Sequence, residues 1–245
     1  SDLGAFAEGW KRGNSLQGDD FPTLRLANLS ALKHPVSVDT YVEKTLSQAK
    51  GILIRLIGGV PYWSYGLQEV LKLAKQNKIA CAVLPADGRE DPQLDDYSTL
   101  PSSTLRRLKE LCDTGGEIAA HAALAQLALA AGLYAAPVNG TKTLETFGAW
   151  SPEQNVCSPS DIAKAINPDK PLIIVTFYRA FITAADLKPI KAIFDALRIR
   201  GFEVLGLFSP SLKIPDAAEW IISQIKQFKP VCIVNATSFS GRGAS

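Results

Sequence analysis

The 245 residues include 26 Lys and Arg against 24 Asp and Glu, which gives a net charge of +2, and 47% of them are hydrophobic. This composition excludes disordered and low-complexity proteins and predicts a globular chain with a sizeable core. Because the two charge signs are mixed along the chain, we expect no nucleic-acid-binding surface.

Cysteine and histidine usage limits the metal and redox chemistry. The four cysteines lie far apart without a CxxC pair, and the chain has only two histidines. These counts exclude a zinc ribbon, a local redox motif and a three-histidine metal centre built from this chain alone, and they predict reduced thiols in a cytoplasmic protein. The apolar stretch 118–138 contains His121 and Gln126, so it predicts a buried helix rather than a membrane span. Residues 1–10 have neither the basic start nor the apolar centre of a secretion signal.

The first part of the chain predicts an α/β unit over residues 1–134. Apolar residues recur at helical spacing in Leu3–Trp10, and because a helix that opens such a unit normally follows a strand, we expect a preceding strand to belong to the unit. The run ILIRLIGG at 52–59 is apolar on both faces, which is typical of a central parallel strand. The other predicted elements are a strand at 24–26, helices at 38–48 and 65–76, a strand at 79–84 and helices at 102–112 and 117–131.

Residues 135–170 are rich in Pro, Gly, Asn, Ser and Thr, with one weakly helical stretch at 160–166. They predict an irregular connection to a second unit over 171–245. The predicted elements of that unit are a strand at 172–177, a helix at 187–200, a strand at 203–208, a helix at 215–228 and a strand at 231–235.

We therefore expect an α/β protein with two Rossmann-like or flavodoxin-like parallel-sheet units, each with helices on both faces. The chain contains no Met. This indicates either a fragment of a larger multidomain protein, truncated after its last strand, or a sequence printed without its methionines.

Ligands of parallel sheets bind beyond the carboxyl ends of the strands, so the loops at those ends hold the candidate site residues. Tyr62, Trp63 and Tyr65 follow the strongest strand, where they either stack on a flat ring or cover the domain. Tyr178 and Arg179 follow the strand at 172–177, where an arginine is suited to holding a carboxylate in a bidentate fork.

The remaining motifs are weaker. His34 lies in a loop before a predicted helix, where it is either a surface group or an acid/base near neutral pH. His121 lies on an alanine-rich helix, and we expect it to be a packing residue with its hydrogen bonds satisfied. The glycine-rich SFSGRG at 238–243 is typical of either an anion-binding nest or a solvated turn. The chain has no Walker A or GxGxxG motif, so no nucleotide cofactor is expected on it.

Longer segments resemble the N-terminal region of the CobN family, the large subunits of aerobic, ATP-dependent cobaltochelatase, which are related to the H subunits of magnesium chelatase. The resemblance spans nearly the whole chain, in the family's order and spacing. The segments are RLANLSALKHPVSVDTYVEKTL (25–46), ILIRLIGGVPYWSYGLQEV (52–70), AVLPADGREDPQLDDYSTLP (82–101), VTFYRAFITAADLKPIKAIFDALRIRGFEVLGLFSPSLK (175–213) and VNATSFSGRG (234–243).

The resemblance implies part of a tetrapyrrole-binding ligase subunit in cobalamin biosynthesis. Such a subunit inserts Co²⁺, as a substrate, into hydrogenobyrinic acid a,c-diamide, while CobS and CobT type partner subunits hydrolyse ATP with Mg²⁺. The alternatives are a magnesium chelatase H-type subunit acting on protoporphyrin IX and a non-catalytic head that docks partners. A further alternative, which sets the resemblance aside, is a two-lobed small-molecule binding protein of periplasmic type.

No catalytic or metal-binding residue is transferred from the family, and the isolated chain is expected to be inactive. The candidates for substrate contact come from the residues themselves. They are Arg179, Tyr178, Trp63, Tyr65 and His34.

Overall fold

The computed structural model describes residues 2–88, 90–138 and 144–237. The chain divides into two compact units, Ser1–Thr143 and Leu144–Ser245. Both are built from parallel strands and helices, so the predicted α/β class is confirmed.

The N-terminal unit holds a two-stranded parallel sheet in which Ile52 pairs with Cys81. Short 3-10 helices connect its elements at Gly18–Asp20, Leu29–Ala31, Leu46–Gln48, Val60–Tyr62 and Pro92–Tyr97. The elements are α1 (Leu3–Gln17), α2 (Pro35–Lys44), β1 (Gly51–Leu56), α3 (Ser64–Asn77), β2 (Ala80–Pro85), α4 (Ser102–Thr114) and α5 (Gly116–Ala130).

Two helical layers cover this sheet. Alternate residues of β1 are buried together with Val38 of α2 and Leu67 of α3, because side chains of a strand point to opposite faces in turn. On the other face, Gly51 of β1 lies against Leu127 of α5. Helix α5 in turn packs closely on α1, since a Cβ at Gly9 would lie 2.6 Å from the backbone nitrogen of His121.

The C-terminal unit holds a five-stranded mixed sheet. Its elements are β3 (Gly148–Ser151), β4 (Asn155–Cys157), α6 (Pro159–Ala165), β5 (Leu172–Tyr178), α7 (Ala180–Thr183), α8 (Lys188–Ile199), β6 (Glu203–Ser209), α9 (Pro215–Phe228) and β7 (Cys232–Ala236). The strand order in the sheet is β4-β3-β6-β5-β7. Strand β5 pairs in parallel with β6 and β7, whereas β3 pairs antiparallel with β6 and β4. One face packs under α8 around Phe194, and the other packs under α6 and α9 around Ile162 and Ile221.

Three details differ from the sequence-based expectation. The predicted strand at 24–26 is wrong, because these residues lie outside both sheets and Leu26 is exposed. Residues 135–170 do not form only an irregular connection, since they contain β3, β4 and α6. The second sheet is mixed rather than purely parallel, because the two short strands β3 and β4 add to its edge in the antiparallel sense.

Candidate functional site

The carboxyl end of β1 leads into an exposed aromatic loop, residues 57–65. Ile57 is 66% exposed and is followed by two glycines with positive φ, Gly58 at 91° and Gly59 at 67°. A Cβ at Gly59 would also lie 2.8 Å from the Oδ2 atom of Asp91. The tight turn therefore requires glycine at position 59.

Two tyrosines of the aromatic loop are open to solvent. Tyr62 is 45% exposed, and the Lys33 ammonium lies 5.6 Å from its ring centroid, a cation–π contact. The Tyr65 hydroxyl donates a 2.7 Å hydrogen bond to the Asp39 carboxylate, and this bond raises the pKa of Tyr65. The surface thus combines apolar ring faces with the Lys33 cation and the Asp39 carboxylate.

Trp63 does not belong to this surface. Its side chain is only 7% exposed and packs in the core with β1, α2 and α3. The indole N–H donates a 2.7 Å hydrogen bond to the Leu32 carbonyl. The prediction that Trp63 stacks on a ligand is therefore wrong, because the ring is packed in the core. It anchors the aromatic loop to the segment before α2.

His34 caps the N-terminus of α2. Its Nδ1 atom accepts a 3.3 Å hydrogen bond from the Val36 backbone N–H, so the neutral ring carries its proton on Nε2. The exposed nitrogen is then a donor. The structure thus places His34 next to Lys33, which contacts Tyr62, with its Nδ1 atom occupied by the helix cap. Its acid/base role stays a prediction.

Arg179 occupies the carboxyl end of β5 in the C-terminal unit. Its Nε and Nη2 atoms donate to the carbonyls of Glu145 and Leu144 at 3.0 and 2.9 Å, and burial lowers the pKa of the guanidinium. No carboxylate among the described residues lies within ion-pair distance of it. The preceding Tyr178 is half-buried at the last position of β5, paired with Ser209 of β6.

Polar side chains also meet at the carboxyl end of β7. The Asn235 Oδ1 atom accepts hydrogen bonds from the hydroxyls of Thr176 and Thr237 at 2.9 and 2.7 Å. These bonds fix the orientation of the amide, with its NH₂ group as the remaining donor. The predicted nest at 238–243 lies outside the described residues.

An ion-pair network in the N-terminal unit was missed by the sequence analysis. Arg55 has an 11% exposed side chain, pairs with Asp2, and reaches Asp113 at 2.7 Å. It also donates to the Pro85 carbonyl, and Lys109 binds Asp113 at 2.9 Å. The signal was present, since a charged residue inside an apolar strand needs a buried partner.

The described residues contain no group of three or more His, Cys, Asp or Glu arranged to hold a metal ion. All four cysteines are free, and burial raises the pKa of the Cys81 and Cys112 thiols to about 12. No helix in the described part of the chain is long and apolar enough to span a bilayer.

Comparisons with known proteins give a consistent result. Aerobic cobaltochelatase subunit CobN from Sinorhizobium sp is 32% identical over 226 residues, which are 89% of this chain and 18% of that protein. The subunit of the same name from Pseudomonas aeruginosa is 29% identical over 225 residues, 91% of this chain and 18% of that protein. The chain therefore spans about a fifth of the length of the curated relatives that it matches.

The fold is also found in a solved structure, the catalytic subunit of cobaltochelatase from Mycobacterium tuberculosis. That structure matches with a TM-score of 0.63 and 19% identity, over 89% of this chain and 16% of that one. The CobN/Magnesium Chelatase family model matches residues 105–245, which are more than half of the sequence. The chain belongs to the CobN/magnesium chelatase family.

Proposed function

We propose that this chain is part of the large subunit of a cobaltochelatase and that it contributes groups to tetrapyrrole binding. In this proposal the longer polypeptide inserts Co²⁺ into hydrogenobyrinic acid a,c-diamide in cobalamin biosynthesis, which makes it a ligase that forms nitrogen–metal bonds. The matching curated relatives, both cobaltochelatase subunits by name, favour the cobalt branch over magnesium insertion into protoporphyrin IX.

The observation that carries the binding proposal is the Arg179 guanidinium. An arginine has five N–H donors, and two of them are held by the carbonyls of residues 144 and 145. The remaining donors have no carboxylate partner among the described residues, although the group is partly buried. Binding the carboxylate of an acidic tetrapyrrole would offset the lost hydration of this cation.

The aromatic loop of the N-terminal unit supports the same function independently. A tetrapyrrole presents a flat apolar ring edged with carboxylates. Exposed Tyr62, Tyr65 and Ile57 supply apolar contacts, and Lys33 supplies a positive charge. Exposed aromatic rings are suited to stacking on a flat ligand, and the Lys33 ammonium is suited to one of its carboxylates.

The energy-consuming step belongs to other chains in this proposal. CobS and CobT type partners hydrolyse ATP with Mg²⁺ in this proposal, and this sequence contains no Walker A or GxGxxG motif. The complex works in the cytoplasm, in keeping with the four free thiols. The chain alone, without these partners, inserts no cobalt.

The test is a fluorescence titration of the full-length subunit with hydrogenobyrinic acid a,c-diamide. We expect Arg179→Ala to weaken binding by tenfold or more, about 1.4 kcal/mol. Arg200→Ala is the matched control, because Arg200 is an exposed arginine of the same unit whose guanidinium donates to the Ala196 carbonyl. Protoporphyrin IX is titrated in parallel to compare the two branches of the family.

Two results would contradict the proposal. Equal affinity of wild type and a folded Arg179→Ala variant removes Arg179 from the tetrapyrrole site and favours a head that docks partner subunits. Tighter binding of protoporphyrin IX than of the corrinoid acid assigns the subunit to the magnesium branch.

A further inference from the structure

Among the described residues, strand β1 pairs with β2 on one edge and with no strand on its outer edge. Ala80 and Ala86 donate their N–H groups to the carbonyls of Lys50 and Leu56 at 3.0 and 2.7 Å. Even-numbered residues of β1 therefore face β2. In a parallel ladder the N–H and C=O of one residue point to the same side, so those of Leu53 and Arg55 point away from β2.

The fold covers the opposite edge of the same sheet. Thr99 and Ser98 accept from the outward N–H groups of Cys81 and Val83 through their hydroxyls, at 2.8 and 3.0 Å. The Thr99 N–H also donates to the Cys81 carbonyl at 2.9 Å. The outer edge of β2 is thereby satisfied without a further strand.

Strand β1 has no equivalent cover in the part of its unit that the structure describes. Within the described residues of the N-terminal unit, no group hydrogen-bonds the backbone N–H or C=O of Leu53 or Arg55. The Arg55 Nε atom is also buried without a hydrogen-bond partner. An apolar strand with a bare edge is a template for pairing with another strand, and a sheet of two strands is marginal by itself.

The strand itself has the composition of a central strand. Ile52, Ile54 and Leu56 are buried on one face, Leu53 is partly buried on the other, and the Arg55 side chain there is only 11% exposed. Strands that are apolar on both faces belong inside parallel sheets, whereas natural edge strands carry exposed charges or prolines. The side chains of β1 therefore fit a strand with neighbours on both sides.

The entry into α1 identifies which segment would pair there. Asp2 binds Arg55 near the carboxyl end of β1, so the chain begins α1 at that end of the sheet. A strand that ran directly into α1 from this position would end where β1 ends, which makes it parallel to β1. The curated relatives are long enough to include such a strand, since this chain spans 18% of them.

We propose that, in the longer polypeptide, a strand of about six residues directly preceding α1 pairs in parallel with the outer edge of β1. Its backbone bonds the N–H and C=O groups of Leu53 and Arg55. A side chain of this strand lies beside Arg55 and provides an acceptor for Nε. The N-terminal sheet then has β1 at its centre.

The test is hydrogen–deuterium exchange with residue resolution on the full-length subunit, in which the amides of Leu53 and Arg55 are compared with the inward amide of Ile54. We expect all three to be protected. In the same polypeptide shortened to begin at Ser1, Leu53 and Arg55 should exchange faster by on the order of 100-fold, while Ile54 stays protected and reports that the unit is folded.

Three outcomes would overturn the proposal. The first is fast exchange of Leu53 and Arg55 in the full-length protein while Ile54 is protected, a comparison that needs no variant. The second is undiminished protection after shortening, which assigns the edge to another segment. The third is protection that rises with protein concentration while light scattering detects a dimer. That result would assign the outer edge of β1 to pairing with a second copy of the chain.

Discussion

Replacing Gly66 by alanine tests whether Trp63 is a fixed part of the core. Gly66 lies in α3, one turn from Trp63, and a Cβ at this position would lie 2.1 Å from Cε2 and 2.3 Å from Cζ2 of the indole. Ordinary van der Waals contacts between a methyl group and another carbon begin at roughly 3.5 Å. The ring would have to move by more than an ångström, although it is buried and bonded to the Leu32 carbonyl.

The expected magnitude follows from three contributions. Alanine favours the helix by roughly 1 kcal/mol over glycine. Overpacking of a core costs about 1–3 kcal/mol, and separating the buried indole N–H from its acceptor costs about 1–3 kcal/mol more. We therefore expect Gly66→Ala to lower the free energy of unfolding by about 3 kcal/mol.

This loss is measured for the N-terminal unit by urea unfolding, with the exchange protection of the β1 and β2 amides as the readout. Gln68→Ala is the control, because Gln68 is an exposed position of the same helix and should change stability by less than about 0.5 kcal/mol. Adding Trp63→Phe to Gly66→Ala should recover part of the loss, since the smaller ring leaves room for the methyl group. A Gly66→Ala variant as stable as wild type would refute the assignment of Trp63 to the core.

Two further predictions concern ionisable groups. The exposed thiol of Cys232 should react with a disulfide reagent at pH 8, whereas Cys81, with a pKa of about 12, should react only after unfolding; rapid labelling of Cys81 in the native protein would contradict its burial. Hydrogen bonding by Arg198 lowers the pKa of Glu153 from its ordinary 4.5, so the pair stabilises the fold above that pH and the contribution is lost as the pH falls through the lowered value. The free energies of unfolding of wild type and Glu153→Gln should therefore differ at pH 7, by less than about 1 kcal/mol because the pair is largely exposed. The two values should converge in acid, and a difference that does not change with pH would refute the linkage.

The sequence predicted the elements whose signal is local. The apolar runs of β1, β2, β5 and β6 are long enough to identify strands by themselves, and the α/β alternation follows from them. The strands Gly148–Ser151 and Asn155–Cys157 were missed because they have 4 and 3 residues. Segments this short have no readable period. Strand β3 forms through antiparallel pairing with β6, which is distant in sequence, and β4 forms by pairing with β3.

The same distinction applies to the candidate site. The position of a loop at the carboxyl end of a strand follows from the order of elements, which is why the loops holding Tyr62 and Arg179 were found. The direction of each side chain depends on partners elsewhere in the chain. Trp63 turns inward because the Leu32 carbonyl, 31 positions away, accepts its indole N–H, and the neighbouring Tyr62 is left exposed. No pattern within the loop distinguishes these two aromatic residues.

Three of the predicted contact residues hold backbone groups of their surroundings, and this determines how binding variants are to be designed. Trp63, His34 and Arg179 bond the main chain at Leu32, Val36 and residues 144–145 respectively. An alanine at Arg179 therefore removes both a positive charge and the bonds that hold the segment at 144–145.

Arg179→Lys keeps the charge and loses the planar fork, whereas Arg179→Gln keeps hydrogen-bonding capacity and loses the charge. If the guanidinium binds a ligand carboxylate directly, the lysine variant should bind the corrinoid acid more tightly than the glutamine variant, and the difference should shrink as salt is added. Equal weakening in both variants, independent of salt, would instead show that Arg179 acts by positioning its neighbouring segment.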